Sequence, residues 1–354
     1  MMIPAAINLG LDIRILAESE KSSARLGASM VGDFRNLDDL REFARGIDVL
    51  TFDHEHVPLE LLRTLQQEGT LIYPPPKALE LTQDKTVMRT ALQGWGIPQP
   101  RWAVVSNADD EALDAVGGFP CVAKLPVGGY DGKGVRVISS WKDLEDWLTA
   151  GSVLLEELVD FRRELAQLSA RRPSGDWESW PAVETVQEGG VCSVVRSPAE
   201  GLTDDQREEA ARIAREVAES AGVVGVLAVE LFEDSSGALL VNELAMRPHN
   251  SGHVLTEQSV TGQFEQHLRA VTDCPLGSTA LRSPVATMVN VFGGAPFDAW
   301  ARIAGHYPEA KLHSYQKDAR PGRKAGHIVV TGDVRDSVDE HAMRARDSYL
   351  GEMS

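Results

Sequence analysis

The sequence predicts a multidomain α/β protein: a parallel α/β unit first, a strand-rich middle, then a small β-rich tail. Three observations predict it. Up to residue 76, apolar strand-like runs alternate with helical patterns, the signature of a parallel sheet with crossover helices. Between residues 164 and 196, strand-like runs follow one another across tight turns at Ser174-Gly175 and Gly189-Gly190, which indicates antiparallel pairing. The 354 residues are also more than one compact unit needs.

Residues 1–11 read as a short amphipathic helix and 12–17 as a strand. Then come a helix at 37–44, a strand at 48–52, a helix at 59–67 and a strand at 70–73. Pro74, Pro75 and Pro76 close this unit. A helix is expected at 83–95, ended by the breaker GIPQP. Strands follow at 102–105, 121–125, 135–138, 152–159, 164–171, 182–187 and 191–196. Residues 204–221 form a helix that begins with acidic residues, which suits the helix dipole. A hairpin is expected from 225–232 and 238–244, then a helix at 262–271. The tail gives strands at 286–292, 311–315 and 325–331 and a polar helix, with no internal repeat. One feature is irregular: a parallel α/β unit normally begins on a strand and a glycine turn, whereas this chain begins on a helix.

The composition is that of a globular protein, 43% hydrophobic. A formal charge of −18 excludes a broad basic face for nonspecific nucleic-acid binding. No apolar stretch approaches the ~20 residues of a membrane span, and no basic-then-apolar leader opens the chain. Cys121, Cys192 and Cys274 are an odd number without metal-like spacing. Each is expected to be a buried thiol, which suits the cytoplasm.

The run VNELAMRPHNSGH at 241–253 carries the densest chemistry. Asn242 and Glu243 end a strand. Arg247, His249, Asn250, Ser251 and His253 then crowd one loop stiffened by Pro248, as a site for an anionic ligand would require. With Ser236-Gly237 as a two-residue hairpin turn, Glu230 falls directly opposite Glu243. Two carboxylates so placed repel unless a cation lies between them. Magnesium, completed by phosphate oxygens and water, is the expected one.

The loop GGYDGKG at 128–134 supplies phosphate chemistry. Gly128, Gly129, Gly132 and Gly134 let backbone N–H groups converge on an anion, and Lys133 adds charge. It is not a P-loop, because no GKS or GKT follows. Lys124 closes the preceding strand beside it. Residues 156–159, from Glu156 and Glu157 to Val159, are placed to offer backbone donor and acceptor groups to adenine, and Glu164 to take ribose hydroxyls.

Lys85, Lys124, the glycine loop, Glu156 to Val159, Glu164, Glu230 and Asn242-Glu243 occur in the order of the ATP-grasp ligases. Together with KDARPGRKAGH at 317–327, the two loops resemble the 5-(carboxyamino)imidazole ribonucleotide synthase (PurK) family over nearly the whole chain. The resemblance implies a pre-ATP-grasp α/β domain (1–76), an ATP-grasp domain (77–275), a C-terminal β-rich domain (276–354) and a homodimer. It also implies that the strand and glycine-rich turn expected at the start precede Met1, so that this chain is an N-terminally shortened version of a longer enzyme.

The implied reaction carboxylates 5-aminoimidazole ribonucleotide with bicarbonate and ATP, through carboxyphosphate, in purine biosynthesis. By resemblance Arg247 holds bicarbonate or its phosphorylated product. Tyr130, Asp131, His249, Asn250 and Ser251 line the ribonucleotide pocket, Asp131 is the candidate for accepting or orienting the amine proton, and Lys317, Arg323 and Lys324 are the candidates for the substrate phosphate. The segment TFDHEHVP at 51–58 keeps Glu55 of the family's TYEFENVP, with His54 and His56 as departures. Alternation puts the two histidines opposite Glu55, which argues against a metal cluster there. Competing readings are another ATP-grasp ribonucleotide ligase or formate-using transformylase, a carboxylase acting on a carrier, and an inactive ATP-binding protein. No biotin-type lysine domain is present, which argues against the carrier.

Overall fold

The computed structural model describes residues 1–129, 134–293, 297–318 and 320–350. The chain opens on the Met2–Leu9 helix, stopped by Gly10 in the left-handed conformation at φ 69°. Strands β1 (Ile15–Ala17) and β2 (Ala28–Val31) pair in parallel. β2 was not expected: its sequence, Ala-Ser-Met-Val, carries one β-branched residue and little alternation. The strands expected at 48–52 and 70–73 reduce to a parallel bridge between Leu50 and Ile72, which with Phe52 reach the core. The helix expected at 83–95 is the second of two, Pro76–Gln83 and Lys85–Gly94. Pro76 starts a helix here because its missing N–H costs nothing at the first position. Asp84 separates the two and caps the second, accepting from the amides of Thr86 (2.8 Å) and Val87 (3.2 Å).

Strands β3 (Trp102–Val105), β4 (Cys121–Lys124), β5 (Val135–Ile138) and β6 (Val153–Glu157) form one antiparallel sheet in the order β3-β6-β4-β5. The next strands are β7 (Phe161–Arg171), β8 (Trp177–Ser179), β9 (Val183–Glu188), β10 (Val191–Ser197), β11 (Gly225–Asp234) and β12 (Leu239–Ala245). With β13 (Val285–Gly293), β14 (Lys311–Ser314) and β15 (Arg320–Gly332) they make a second sheet, β12-β11-β7-β9-β10-β13-β15-β14, with β8 on β7. The tail strands therefore extend the mid-chain sheet: β10 pairs with β13, Val194 opposite Val289. The Asp204–Ala221 helix lies against this sheet. It starts on a Thr203–Gln206 capping box, ends at Gly222, and buries Ala210, Ile213, Ala214, Val217, Ala218 and Ala221 in one core with Leu227, Val229 and Leu231.

The β11–β12 hairpin corrects the expected register. Its turn is residues 235–237, three rather than two: the Asp234 amide donates to the Ala238 carbonyl (3.0 Å), and Asp234 Oδ1 accepts from the amides of Ser236 and Ala238. Asp234 competes for these donors as turn aspartates do, and Gly237 supplies φ 89°. Leu231 consequently faces Val241, while Val229 faces Leu244. The difference is a bulge that sets Asn242 and Glu243 together across from Glu230.

His267 locks the first unit to the large sheet. Its Nδ1 accepts from the Val226 amide (3.0 Å) and its Nε2 faces Thr51 Oγ1 (2.7 Å), so the ring is held neutral. Burial lowers its pKa from 6.5 to about 3. The unfolded chain takes up this proton first, so stability is lost as pH falls from about 6.5 toward 3. Thermal melts across that window are expected to show this loss, with a shallower pH dependence in His267→Gln. An unchanged slope in that variant overturns the assignment.

Candidate active site

The two sheets bring together residues expected to bind the nucleotide. Lys124, at the end of β4, is buried, with Nζ 2.9 Å from Glu156 Oε2 and donating to Asn242 Oδ1 at 3.1 Å. Lys85 starts its helix with Nζ 3.7 Å from Glu243 Oε1, and its amide donates to the Pro126 carbonyl at 2.9 Å. That bond ties the helix to the root of the glycine loop. At the loop's base the Leu125 amide meets the Gly134 carbonyl at 2.9 Å, and Gly128 and Gly134 have φ 85° and 74°. A Cβ on Gly134 would approach Gly129 Cα at 3.3 Å, so the two arms of the loop run close together. Tyr130, Asp131, Gly132 and Lys133 lie outside the described residues.

Neither glutamate at the end of β6 has a side chain to spare. Glu156 is held by Lys124 and by Arg89 Nε at 2.7 Å; Glu157 takes the amide and Nε of Arg101 at 2.9 and 2.7 Å. Any contact with adenine there falls to backbone groups near Val159. Arg89 was not picked out in the sequence. The one available signal is its position four residues after Lys85, on the same helix face. Glu164, on β7, is half-buried. Burial raises its pKa, while a hydrogen bond from Gln187 and the charge of Lys124 oppose that rise.

Glu230 has its pKa raised to about 8, first by burial, then by the charge of Glu243 and then by that of Glu164. A divalent cation between the carboxylates would relieve this repulsion. No group of three or more His, Cys, Asp or Glu suited to a metal occurs among the described residues. Two carboxylates that leave positions for phosphate oxygens and water fit magnesium better than a metal held wholly by protein.

The loop at 241–253 is tied at several points. Glu55 Oε1 accepts from the Met246 amide at 2.7 Å, and Glu55 Oε2 is 3.4 Å from Arg247 Nε. Glu55 therefore belongs to the site. The chain bends at Asp53, His54 and Glu55 instead of running as a strand, so the expected alternation of the histidines does not apply. His54 packs against Phe34 and His56, with ring centroids at 4.8 and 5.5 Å. His249 reaches across the site. Its Nε2 lies 3.4 Å from Glu230 Oε1, its Nδ1 is 2.8 Å from Ser251 Oγ, and its amide donates to Gln263 Oε1 at 2.8 Å. Burial first, then the Arg247 charge, keeps this imidazole neutral. A Cβ on Gly252 would fall 2.2 Å from Gln263 Oε1 and 2.5 Å from Leu168 Cδ2, both on fully buried side chains. Gly252→Ala is therefore expected to cost about 2 kcal/mol and to raise the ribonucleotide KM. An unchanged melting temperature and KM would show that the loop yields.

The tail contributes a stack that the sequence did not reveal. The His253 ring lies 4.3 Å from that of His327, which lies 4.5 Å from that of His313. Tyr315 Oη is 2.8 Å from His327 Nδ1, and His313 Nε2 is 3.0 Å from Glu257. The stack fixes β14 and β15 against the loop. Lys324, on β15, brings its charge near Glu230, His249 and Cys192. Lys317 Nζ lies 5.2 Å from the Tyr315 ring, and Arg323 Nη1 is 3.4 Å from the Asp318 carbonyl. The cysteines differ from expectation: Cys121 is buried, Cys192 is half-buried beside the site, and Cys274 is exposed, because it follows the end of the Gln263–Val271 helix at the surface. Burial pushes the Cys192 thiol up to about 12.

Three family models match the chain: "Ribonucleotide synthetase preATP-grasp domain" over residues 1–83, "ATP-grasp domain" over 90–264, and "Phosphoribosylaminoimidazole carboxylase C-terminal domain" over 286–341. The chain is 47% identical over 342 residues to N5-carboxyaminoimidazole ribonucleotide synthase of Mycobacterium tuberculosis, covering 93% of this chain and 80% of the relative. It is 44% identical over 368 residues to the Corynebacterium ammoniagenes enzyme of that name, covering 99% and 87%. The crystal structure of the Thermus thermophilus synthetase superposes with a TM-score of 0.89 at 36% identity, over 99% of this chain and 95% of that one. The Aspergillus clavatus synthase in complex with ADP and 5-aminoimidazole ribonucleotide superposes with a TM-score of 0.87 at 28% identity, over 99% and 95%.

Proposed function

The chain belongs to the N5-carboxyaminoimidazole ribonucleotide synthase family, and from that premise we propose how its residues share an ATP-dependent carboxylation. It is an ATP-dependent ligase that carboxylates 5-aminoimidazole ribonucleotide on its exocyclic nitrogen, a step of purine biosynthesis. One observation carries the division of roles. Lys85 pairs with Glu243 and Lys124 donates to Asn242, the two residues across from Glu230, while His249, on the Arg247 loop, reaches Glu230 itself.

Lys124, Lys85 and the glycine loop, with Lys133, take the nucleotide phosphates. The backbone around Val159 takes the adenine, and Glu164 the ribose. Glu230 and Glu243 would hold magnesium, which would supply positive charge against the nucleotide phosphates. Bicarbonate is a poor electrophile; the phosphoryl group it accepts from ATP makes it carboxyphosphate, a source of carbon dioxide beside the amine. Arg247, held by Glu55, orients bicarbonate and then the carboxyphosphate. The neutral His249, with Asn250 and Ser251, lines the ribonucleotide side. Tyr130 and Asp131 complete that side, and Asp131 orients the amine proton. Lys317, Arg323 and Lys324 take the substrate phosphate. The domains divide at 1–76, 77–275 and 276–354, and the enzyme works as a homodimer. A cytoplasmic location is part of the same reading, supported by three free cysteines. No helix among the described residues is long and apolar enough to cross a membrane.

The test is phosphate release from ATP with bicarbonate, the ribonucleotide, both, or neither. Release is expected to need the ribonucleotide and to be fastest with both. Stimulation by formate in place of bicarbonate would favour a transformylase, and absence of release under every condition would favour a silent nucleotide-binding protein.

A further inference from the structure

Arg89 has no exposed surface; its Nη1 donates to Gln99 Oε1 at 3.4 Å, and closer polar contacts hold it in place. Its Nε donates to Glu156 Oε1 at 2.7 Å, its Nη1 to the Val241 carbonyl at 2.7 Å, its Nη2 to the Asn242 carbonyl at 2.8 Å, and its own carbonyl accepts from Gln99 Nε2 at 2.9 Å. Glu156 is also buried, and its second oxygen takes Lys124 Nζ at 2.9 Å. Two cations thus share one carboxylate, and the cluster keeps one net positive charge. The lysine stands on β4, next to the glycine loop, and also donates to Asn242.

We propose that Arg89 is a positioning residue for ATP: by neutralising Glu156 it leaves the charge of Lys124 for the nucleotide phosphates, and it holds the Val241–Asn242 backbone where β12 bulges toward them. Without Arg89, the buried carboxylate has Lys124 as its remaining cationic partner. In a medium of low dielectric that pair is drawn tight, and the lysine then presents a neutralised group to an incoming anion. The inference rests on the reading that Lys124 faces the phosphates.

The experiment measures the ADP dissociation constant by calorimetry and the ATP and ribonucleotide KM values in the full chain. Arg89→Met is expected to raise the ADP dissociation constant and the ATP KM about tenfold or more while leaving the ribonucleotide KM unchanged. Arg89→Lys keeps the charge without the fork and is expected to stay within about threefold of wild type for ADP. Arg89→Met/Glu156→Gln removes both charges. It is expected to recover most of the ADP affinity, although the bonds to Val241 and Asn242 stay lost, and a merely structural role would not allow that recovery. If Arg89→Met does not fold, the double variant, which buries no unpaired carboxylate, decides alone. Binding near wild type supports the proposal, and binding as weak as in Lys124→Met overturns it. Wild-type ADP affinity in a folded Arg89→Met also overturns it. Lys124→Met separates the two readings: if it keeps full ADP affinity, the placement of Lys124 at the phosphates fails, whatever Arg89 does.

Discussion

Glu243→Gln is expected to lower ribonucleotide-dependent turnover by about two to three orders of magnitude and to shift the melting temperature by no more than about 2 °C. The two effects separate because Glu243 does little for the fold. Its side chain keeps 42% of its exposure, and its ion pair with Lys85 is at 3.7 Å. The glutamine has the same shape, so the bulge at Asn242 and Glu243 survives, while a neutral amide oxygen is a poor ligand for magnesium. The local charge also changes: with Glu243 neutral, one of the causes that raise the Glu230 pKa disappears. The checks are a coupled turnover assay, magnesium titrations and a thermal melt. Near-normal ATP consumption by this variant at ordinary magnesium concentrations would remove Glu243 from the metal site.

The second large effect is expected on the loop after β12. Arg247→Ala should lose about a hundredfold or more in kcat/KM for the ribonucleotide-dependent reaction while ADP binds within about threefold of wild type. Arg247 follows the strand that carries Asn242 and Glu243, and among the described residues it meets Glu55 and the Pro248 carbonyl, whereas Lys85 and Lys124 meet Glu243 and Asn242. Nε of Arg247 is buried without a hydrogen bond that meets the geometry, 3.4 Å from Glu55. A planar fork partly held and partly unspent is suited to a small carboxylate-like anion. Arg247→Lys keeps the charge and loses the fork, so an intermediate loss is expected there. Weakened ADP binding in Arg247→Ala with the coupled reaction intact would reverse the assignment of the two sides.

Much of the fold was legible because its causes are local. The Asp204–Ala221 helix follows from a capping threonine, a spaced apolar stripe and a terminal glycine. β3, β4, β5 and β10 follow from short apolar or alternating runs between turns. Within the site, Lys124, Asn242, Glu243 and Glu230 were legible because each ends or interrupts an otherwise apolar strand. The 235–237 turn was missed because Ser236-Gly237 was read as a two-residue turn, whereas the carboxylate of Asp234, the last residue of β11, draws the Ser236 and Ala238 amides into a three-residue one. β2 and the bridge at Leu50 were misjudged because such short segments take their pairing from neighbours rather than from their own propensity.

By itself the sequence determined many of the longer elements, the loops rich in glycine and charge, and the residue types suited to a nucleotide. Those are properties of a few consecutive residues: periodicity, caps, turns and the cost of a charge in an apolar run. The tertiary structure alone decided which charges meet. Arg89 reaches Glu156 across 67 positions and the Val241 carbonyl across 152, and Glu55 reaches Met246 across 191. It also decided that the tail strands continue the central sheet, and that His253, His327 and His313 stack. Hydrogen bonds and ion pairs act over a few ångströms of space and are indifferent to separation along the chain, so a partner so distant leaves no pattern in the residues beside it.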